Sequence, residues 1–385
     1  MKRRRHIIIL GVLMLTACVY PYEASLSEDM EAMLVVEGDI IVNGITHIRL
    51  SRTTSLNEFL PPVVSGAQIY VEDEQGGRCP VPEISPGQYE AETSHLDLQQ
   101  RYRLHVTLVD QRQYASAYVP VCLSPPVDSV GYILNDDATA IAVHVSTHDE
   151  KGQARYYKWS YVETWEVAPQ WESELLFDLE TMRYRNRFDE EYIYYCWMHR
   201  NSSEILIGNS TRLSDDVIAG QKLLIIPEQD PRVAILYGIQ FAQMALTREA
   251  YIYWENLRKN SEDMGGIFSP QPSETYGNIY AIDEPDEVVL GYISAGTQTL
   301  SERKFIPGGL MKKIPWVDCD CETIHPPLDT NSRESPLTYL NIRGVVPVMY
   351  TDDMSKVIWH RPRCADCRAL GGTKEKPIWW PNHHI

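Results

Sequence analysis

The sequence predicts a mainly β protein with two sandwich-like domains, and three observations favour this fold class. Short runs of alternating apolar and polar residues follow one another from residue 34 onward, each bounded by turn-forming residues. Tyrosine and tryptophan, whose rings suit half-exposed sheets, number 23 and nine, against six phenylalanines. Only one segment has a clear helical period. We therefore expect strands to form most of the regular structure.

The first 17 residues have the pattern of a lipoprotein signal peptide. Four cationic residues precede an apolar run over residues 7–15, and an alanine then stands directly before Cys18. A cysteine at the cleavage point predicts a lipobox, because its thiol takes the diacylglycerol of a bacterial lipoprotein. The alternatives are a chance cysteine and a short transmembrane anchor, but the apolar run is far below the roughly 20 residues that span a bilayer. We predict lipidation at Cys18 and a tether to a lipid bilayer over residues 18–30.

Residues 31–123 are predicted to form an N-terminal immunoglobulin-like β-sandwich. Residues 34–41 and 47–51 read as strands, and Asn43-Gly44 between them is a strong hairpin signal. Further strands are predicted at residues 67–72, 87–93, 102–109 and 114–121. The short spacing of these strands is typical of a sandwich.

A second, fibronectin-like β domain is predicted for residues 124–313, after the boundary that Pro125-Pro126 marks. Its strands are predicted at residues 129–134, 140–146, 156–167, 222–226, 233–244, 278–282 and 288–295. A long aromatic and charged insertion, residues 169–200, interrupts this domain. The single helix is predicted at residues 247–260, because Thr247 is a suitable N-cap for an amphipathic segment.

Residues 314–385 are predicted to be a Cys-rich, irregular C-terminal segment that packs on the second domain. Four candidate disulfide cysteines lie in it: Cys319, Cys321, Cys364 and Cys367. An oxidising, exported compartment favours disulfides, while zinc binding and redox chemistry at the Cys-x-x-Cys motif are the alternatives. Four cysteines allow three pairings. Bridges from Cys319 and Cys321 to Cys364 and Cys367 would close loops in this tail and stabilise it. A Cys79–Cys122 bridge in the first domain is a further option.

Charge and motifs exclude several function classes. The formal net charge of −18 becomes −22 once the four cations of the signal are removed, which argues against nucleic-acid binding. The sequence holds no Gly-x-Ser-x-Gly, no His-Glu-x-x-His and no phosphate-binding glycine loop. An acidic run at residues 283–287 lacks the ligand spacing of a known calcium site, so a solvated turn is the better interpretation. We predict no catalytic residues, no metal site and no cofactor, and hence no enzyme.

Several segments, in order along the chain, carry a resemblance to one family. They are Leu34-Val35-Val36-Glu37-Gly38, Val64-Ser65-Gly66-Ala67, Tyr253-Trp254-Glu255-Asn256-Leu257, residues 266–272, Gly277-Asn278-Ile279, residues 287–292, residues 364–368, Gly371-Gly372-Thr373 and residues 376–380. Together with the lipobox they resemble a lipoprotein family of the Bacteroidota known only as a domain of unknown function, DUF4249. The insertion at residues 169–200 matches no part of this resemblance.

The resemblance implies an outer-membrane lipoprotein, with the cell-surface face expected and the periplasmic face as the alternative. Members of the family accompany TonB-dependent (SusC-like) receptors, so it also implies a non-enzymatic accessory or ligand-capturing partner of such a transporter in nutrient uptake. It brings no catalytic residues and no ligand. An exported hydrolase of peptide or glycan and a cell-envelope adhesin or scaffold are the alternative functions.

Two stretches are candidates for recognition. Phe268, Ser269, Pro270, Gln271 and Pro272 would form a loop of fixed, irregular shape on a rigid sheet. A turn packed against the helix explains the same residues equally well. The Tyr- and Trp-rich insertion has the composition of protein interfaces, which suits contact with a TonB-dependent receptor.

Overall fold

Strands dominate the computed structural model, which describes residues 32–54, 60–211, 217–262, 275–311, 336–342 and 344–382. The strands are β1 (Leu34–Ile41), β2 (Ile45–Arg52), β3 (Gln68–Asp73), β4 (Arg78–Pro80), β5 (Glu83–Ser85), β6 (Gln88–Glu92), β7 (Arg101–Thr107), β8 (Gln113–Ser116), β9 (Val119–Cys122), β10 (Val127–Leu134), β11 (Ala140–His148), β12 (Tyr156–Val167), β13 (Leu175–Asp178), β14 (Arg183–Asn186), β15 (Cys196–Asn201), β16 (Leu206–Asn209), β17 (Val217–Pro227), β18 (Leu236–Leu246), β19 (Ile279–Ala281), β20 (Ala295–Gly296), β21 (Gln298–Leu300), β22 (Lys304–Pro307), β23 (Val346–Tyr350) and β24 (Val357–His360). The helices are α1 (Arg248–Glu262), α2 (Pro336–Ile342) and α3 (Pro362–Ala365). The predicted mainly β fold class is confirmed.

The first core lies inside one curled sheet. One arm of the sheet runs β5–β6–β2–β1 and the other contains β4, β3, β7, β8 and β19, with β20 hydrogen-bonded between β1 and β9. Because successive side chains of a strand point to opposite faces, every second side chain points toward the centre. Both arms therefore contribute to one apolar cluster, with Leu34 and Ile48 from one arm and Val71, Leu104 and Tyr114 from the other.

The chain returns to this first core long after leaving it. Ile279, Val289, Ile293 and Ala295 are buried in the first cluster, and β20 pairs in parallel with both β1 and β9. This placement differs from the predicted division, in which residues 124–313 belong together. Alternation of apolar and polar residues identifies a strand, but it does not identify the neighbouring strand. The sequence pattern alone therefore does not say which sheet this segment joins.

The second core lies between two facing sheets. One contains β10, β11 and β17, and the other contains β15, β16, β12, β18, β21 and β22. Alternate residues of β11 and β12 point into the cluster between them, including Val143, Val145, Tyr157, Trp159 and Tyr161. This layered arrangement is that of a β-sandwich.

The two cores meet at α1 and at an ion pair. Thr247 caps α1, since its Oγ1 accepts a hydrogen bond from the backbone N–H of Ala250 at 3.2 Å. Lys158 on β12 pairs with Asp39 on β1, and its ammonium lies 4.6 Å from the centre of the Trp254 ring on α1. These contacts join elements of both cores across a shared boundary.

A third, smaller core joins the insertion to the C-terminal tail. The β13–β14 hairpin supplies Leu175 and Phe177, and the tail supplies Tyr339, Val357 and Trp359. The tail was expected to be irregular, whereas the structure gives it a β23–β24 hairpin. This hairpin packs on the insertion, which the sequence analysis placed within the second domain. The insertion also ends earlier than expected, because β15 is an integral strand of the six-stranded sheet. These differences arise because a short hairpin needs a covering surface before it is stable.

Candidate functional site

The insertion and the tail are joined covalently as well as by packing. Cys196, at the start of β15, forms a disulfide with Cys367, 171 positions later in the chain. The backbone N–H of Cys367 donates to the carbonyl of Ile193 at 2.9 Å. Trp197 and Thr373 exchange two backbone hydrogen bonds of 2.8 and 2.9 Å. The end of the insertion is therefore held against residues 367–373.

The cysteine pairing differs from the sequence-based hypothesis. Cys367 bonds to Cys196, which the sequence left as an isolated cysteine, and not to Cys319 or Cys321. Cys364 is also disulfide-bonded, whereas Cys319 and Cys321 lie outside the described residues. Cys79 and Cys122 are free, so the optional bridge between them is not formed. Sequence spacing missed the Cys196 bridge because only the fold brings the insertion and the tail together.

Beside this disulfide, aromatic rings form a continuous group that we call the aromatic surface. Its members are Tyr192, Tyr194, Tyr195, Trp197, Phe305, Trp379 and Trp380. The rings of Tyr194 and Tyr195 are 4.7 Å apart, and Tyr192 lies 6.3 Å from Tyr195. Tyr195 and Phe305 pack against the buried Trp197 and Trp380, and Trp379 is 5.7 Å from Trp380. The insertion, β15, β22 and the tail thus all contribute to one surface.

One cation and several hydroxyl groups give the aromatic surface its polarity. The guanidinium of Arg303 lies 3.3 Å from the centre of the Trp379 ring, a close cation–π contact. Tyr192 donates a 2.8 Å hydrogen bond to Glu172, and burial together with this carboxylate raises the pKa of Tyr192. Burial also raises the pKa of Tyr194 and Tyr195. These phenols therefore stay protonated at neutral pH, and Tyr192 uses its single O–H proton in the bond to Glu172.

A fully buried carboxylate network lies in the same six-stranded sheet. Glu163 on β12 accepts hydrogen bonds from Arg200 at 2.5 Å, from Arg232 at 2.8 Å and from Tyr237 at 2.6 Å. Both carboxylate oxygens have donors, so the network holds strands together and offers no free acid or base. This network was not identified from the sequence. One indication was available, because Glu163 falls on the same face of its strand as the buried Tyr157, Trp159 and Tyr161. A glutamate at such a core-facing position needs a buried partner.

An open cleft of about 500 Å³ lies near the boundary of the two cores. Its lining includes Pro125, Pro126, Thr297, Asp128 and His148. The Nδ1 atom of His148 is 2.8 Å from the Asp128 carboxylate, and this contact raises the pKa of His148. Asp149 and Glu150 also line the cleft, and Glu150 lies 3.9 Å from His148. Among the described residues these side chains do not form a group that could hold a metal ion, so the cleft is secondary to the aromatic surface.

The other sequence-predicted site residues cannot be placed by the structure. Cys18 and the candidate recognition loop, Phe268 to Pro272, lie outside the described residues. Within the described residues there is no group of three or more His, Cys, Asp or Glu side chains that could hold a metal ion. None of the helices in that part of the chain is both long and apolar enough to cross a membrane.

Comparison with protein families gives one match. The model of DUF4249, a domain of unknown function, matches residues 19–302, well over half of the chain. The chain belongs to the DUF4249 family. Among curated proteins, no relative matches it. The DUF4249 match ends before the tail, so Trp379 and Trp380 of the aromatic surface lie beyond it.

The structure explains several segments on which the resemblance to DUF4249 rests. Residues 34–38 and 287–292 meet in space, because the backbone N–H of Val36 donates to Leu290 at 2.8 Å and that of Leu290 donates to Leu34 at 2.9 Å. The side chain of Asn278 makes two 2.8 Å hydrogen bonds with the backbone of Ile293. These DUF4249 segments serve the first core rather than the aromatic surface.

Proposed function

We propose that this DUF4249 protein is a lipid-anchored outer-membrane protein of a member of the Bacteroidota, exposed at the cell surface. In this proposal it works without catalysis, as an accessory or ligand-capturing partner of a TonB-dependent, SusC-like transporter in nutrient uptake. The lipobox at Cys18 supports the anchor, and the pairing with a transporter comes from the resemblance to the family.

The observation that carries the proposed role is the aromatic surface. Tyrosine, tryptophan and arginine are the residues that dominate binding energy at protein interfaces, and here they lie in one continuous group with Arg303 beside Trp379. Trp379 is 39% exposed, and its ring lies 5.7 Å from that of Trp380, which is buried against Trp197. A rigid aromatic base under a half-exposed ring suits recognition, because little side-chain entropy is lost on binding.

The proposal is tested by gentle solubilisation of the outer membrane and capture through a tag placed after Ile385. Mass spectrometry of the captured material should show a TonB-dependent receptor in stoichiometric amount. The variant Trp379→Ala should raise the Kd for the receptor roughly 30-fold and so lower the amount recovered, since truncating an aromatic anchor at an interface costs about 2 kcal/mol or more.

The matched control is Tyr280→Ala, which removes an exposed ring from β19 in the first sheet. It should leave receptor recovery unchanged. Recovery of the protein alone, under conditions that keep known transporter pairs together, would reject the proposal and favour the scaffold or the hydrolase. Equal loss in both variants would show that the aromatic surface does not carry the contact.

A further inference from the structure

Exposed aliphatic side chains gather at one end of the first core, and we call this group the apolar end patch. It consists of Leu60, Val63, Ile84 and Val109, which are 82, 49, 60 and 71% exposed. Aliphatic side chains scattered singly over a surface are ordinary, whereas several together indicate a contact with a partner or a membrane.

Hydrogen bonds and close backbone contacts hold the three turns of the patch side by side. Glu83 accepts hydrogen bonds from Ser65 at 2.6 Å and from the backbone N–H of Gly66 and Gly87 at 2.9 Å each. The backbone of Gly66 lies against Val109, and that of Gly87 lies against Val63. Residues 60–66, 83–87 and 109 therefore form one surface.

The N-terminal end of the described chain lies at this same surface. Arg52 donates to the carbonyl of Ala32 at 2.7 Å through its side chain, and to the carbonyl of Pro62 at 2.9 Å through its backbone. Thr53 exchanges two hydrogen bonds with Met33, of 2.9 and 3.0 Å. Residue 32 therefore lies beside the turn that carries Leu60 and Val63.

We infer that the apolar end patch rests against the lipid bilayer. This inference rests on the proposed lipid anchor, because the fourteen residues from Cys18 to position 31 can span at most about 50 Å. Because the anchor is attached beside the patch, the tether gives the patch a high effective concentration at the lipid surface. Exposed aliphatic side chains can then insert at the boundary between headgroups and acyl chains.

The two acidic groups named at the patch, Glu83 and Asp110, are held by local hydrogen-bond donors. Glu83 has three hydrogen-bond donors, and Asp110 forms an ion pair of 2.8 Å with Arg112. The hydrogen bonds to Glu83 and Asp110 lower the pKa of both carboxyls. Local groups therefore donate hydrogen bonds to both of these carboxylates. The chain as a whole carries a large negative net charge.

The orientation that follows places the aromatic surface away from the bilayer. Strand β1 begins at the patch and reaches the Asp39–Lys158 pair near its other end. Strand β12 runs on from Lys158 to Val167, which pairs with Cys196 beside the aromatic surface. The patch thus belongs to the first core, and the aromatic surface lies at the end of β12 that is remote from Lys158.

The test measures lipid contact with the full-length, lipidated protein in vesicles of phosphatidylcholine and phosphatidylethanolamine. An environment-sensitive fluorophore is attached at Val109→Cys, or at the matched exposed aliphatic Ile133→Cys of β10. Cys79 and Cys122, the free cysteines among the described residues, are replaced by Ser, and the same chain without a new cysteine corrects for label attached elsewhere. Lipids that carry a nitroxide near the headgroup should quench the label at position 109 at least about twofold more than at position 133. A label at Leu60→Cys should behave like that at position 109.

The outcomes separate this inference from the proposed function. The mass of the N-terminal peptide shows whether Cys18 carries a diacylglycerol. Lipidated protein with equal quenching at positions 60, 109 and 133 would overturn the bilayer contact and leave the anchor in place. A Cys18 without lipid would overturn the anchor and the bilayer contact together.

Discussion

At the scale of single residues, the structure is stabilised by charges that are buried in pairs or networks. Glu163 is completely buried, and Arg232 is nearly so. Removing a charge from such a group leaves its partners buried without compensation, whereas replacing the whole group can be neutral. The network is therefore a sensitive point of the second core, although it performs no chemistry.

The variant Glu163→Gln should be destabilised by about 2 to 3 kcal/mol, because Arg232 keeps only Asp230 as a counter-charge, while Arg200 and Tyr237 lose a charged acceptor. Urea denaturation followed by circular dichroism measures this loss. The control Glu150→Gln changes a carboxylate that is almost fully exposed and should stay within about 0.5 kcal/mol of the parent. A loss below about 1 kcal/mol for Glu163→Gln would contradict the role assigned to the network.

The pair of His148 and Asp128 should make this region sensitive to pH. Asp128 raises the pKa of His148 in the folded protein, so the pair stabilises the fold fully below the unfolded pKa of about 6.5. That contribution is lost as the pH rises through the folded pKa. NMR titration should show a pKa for His148 above its ordinary value, and Asp128→Asn should lower it. An unchanged pKa in Asp128→Asn would contradict the assigned cause.

At the scale of elements, short hairpins are stable here because they cover one another. The insertion hairpin β13–β14 and the tail hairpin β23–β24 share one apolar cluster. Hydrogen bonds from Ser173 to Pro347 at 2.7 Å and from Glu174 to Val348 at 2.9 Å join them. Neither hairpin has enough apolar surface to fold alone, so the disulfide that fixes their relative position matters.

The variant Cys196→Ser should loosen the tail without unfolding the first core. Closing a loop of 171 residues contributes up to about 5 kcal/mol in the chain-entropy model. Trypsin should therefore cleave after Lys356, Arg363 or Arg368 at least about tenfold faster in the variant. The control Cys79→Ser alters a free cysteine and should leave cleavage at the parent rate. Equal rates for all three proteins would show that the Cys196–Cys367 bridge is not needed to hold the tail.

At the scale of the whole molecule, the two large cores are interdependent. The first curled sheet is completed by β19 and β20, which follow the helix α1 in the chain. β20 supplies the hydrogen bonds that link β1 to β9. The first core therefore forms only when a segment from the far side of the second core is in place.

A fragment of residues 31–123 should consequently fail to fold, although its sequence resembles a complete domain. It lacks the buried side chains of Ile279, Val289 and Ile293, whose burial contributes roughly 5 to 9 kcal/mol. That amount is comparable with the whole stability of a typical domain. Circular dichroism and amide NMR dispersion of the fragment, compared with the full chain, measure the outcome. A cooperatively melting fragment would refute the dependence.

The sequence alone determines the local structure of this protein, and the tertiary structure decides which segments meet. Alternation, the Asn43-Gly44 turn and the Thr247 cap are properties of neighbouring residues, so the mainly β class, the first hairpin and α1 could be predicted. The Cys196–Cys367 bridge, the Glu163 network, the return of residues 279–296 and the aromatic surface join residues that are far apart in the chain. Such contacts depend on packing and register across the whole molecule, and no short sequence pattern encodes them.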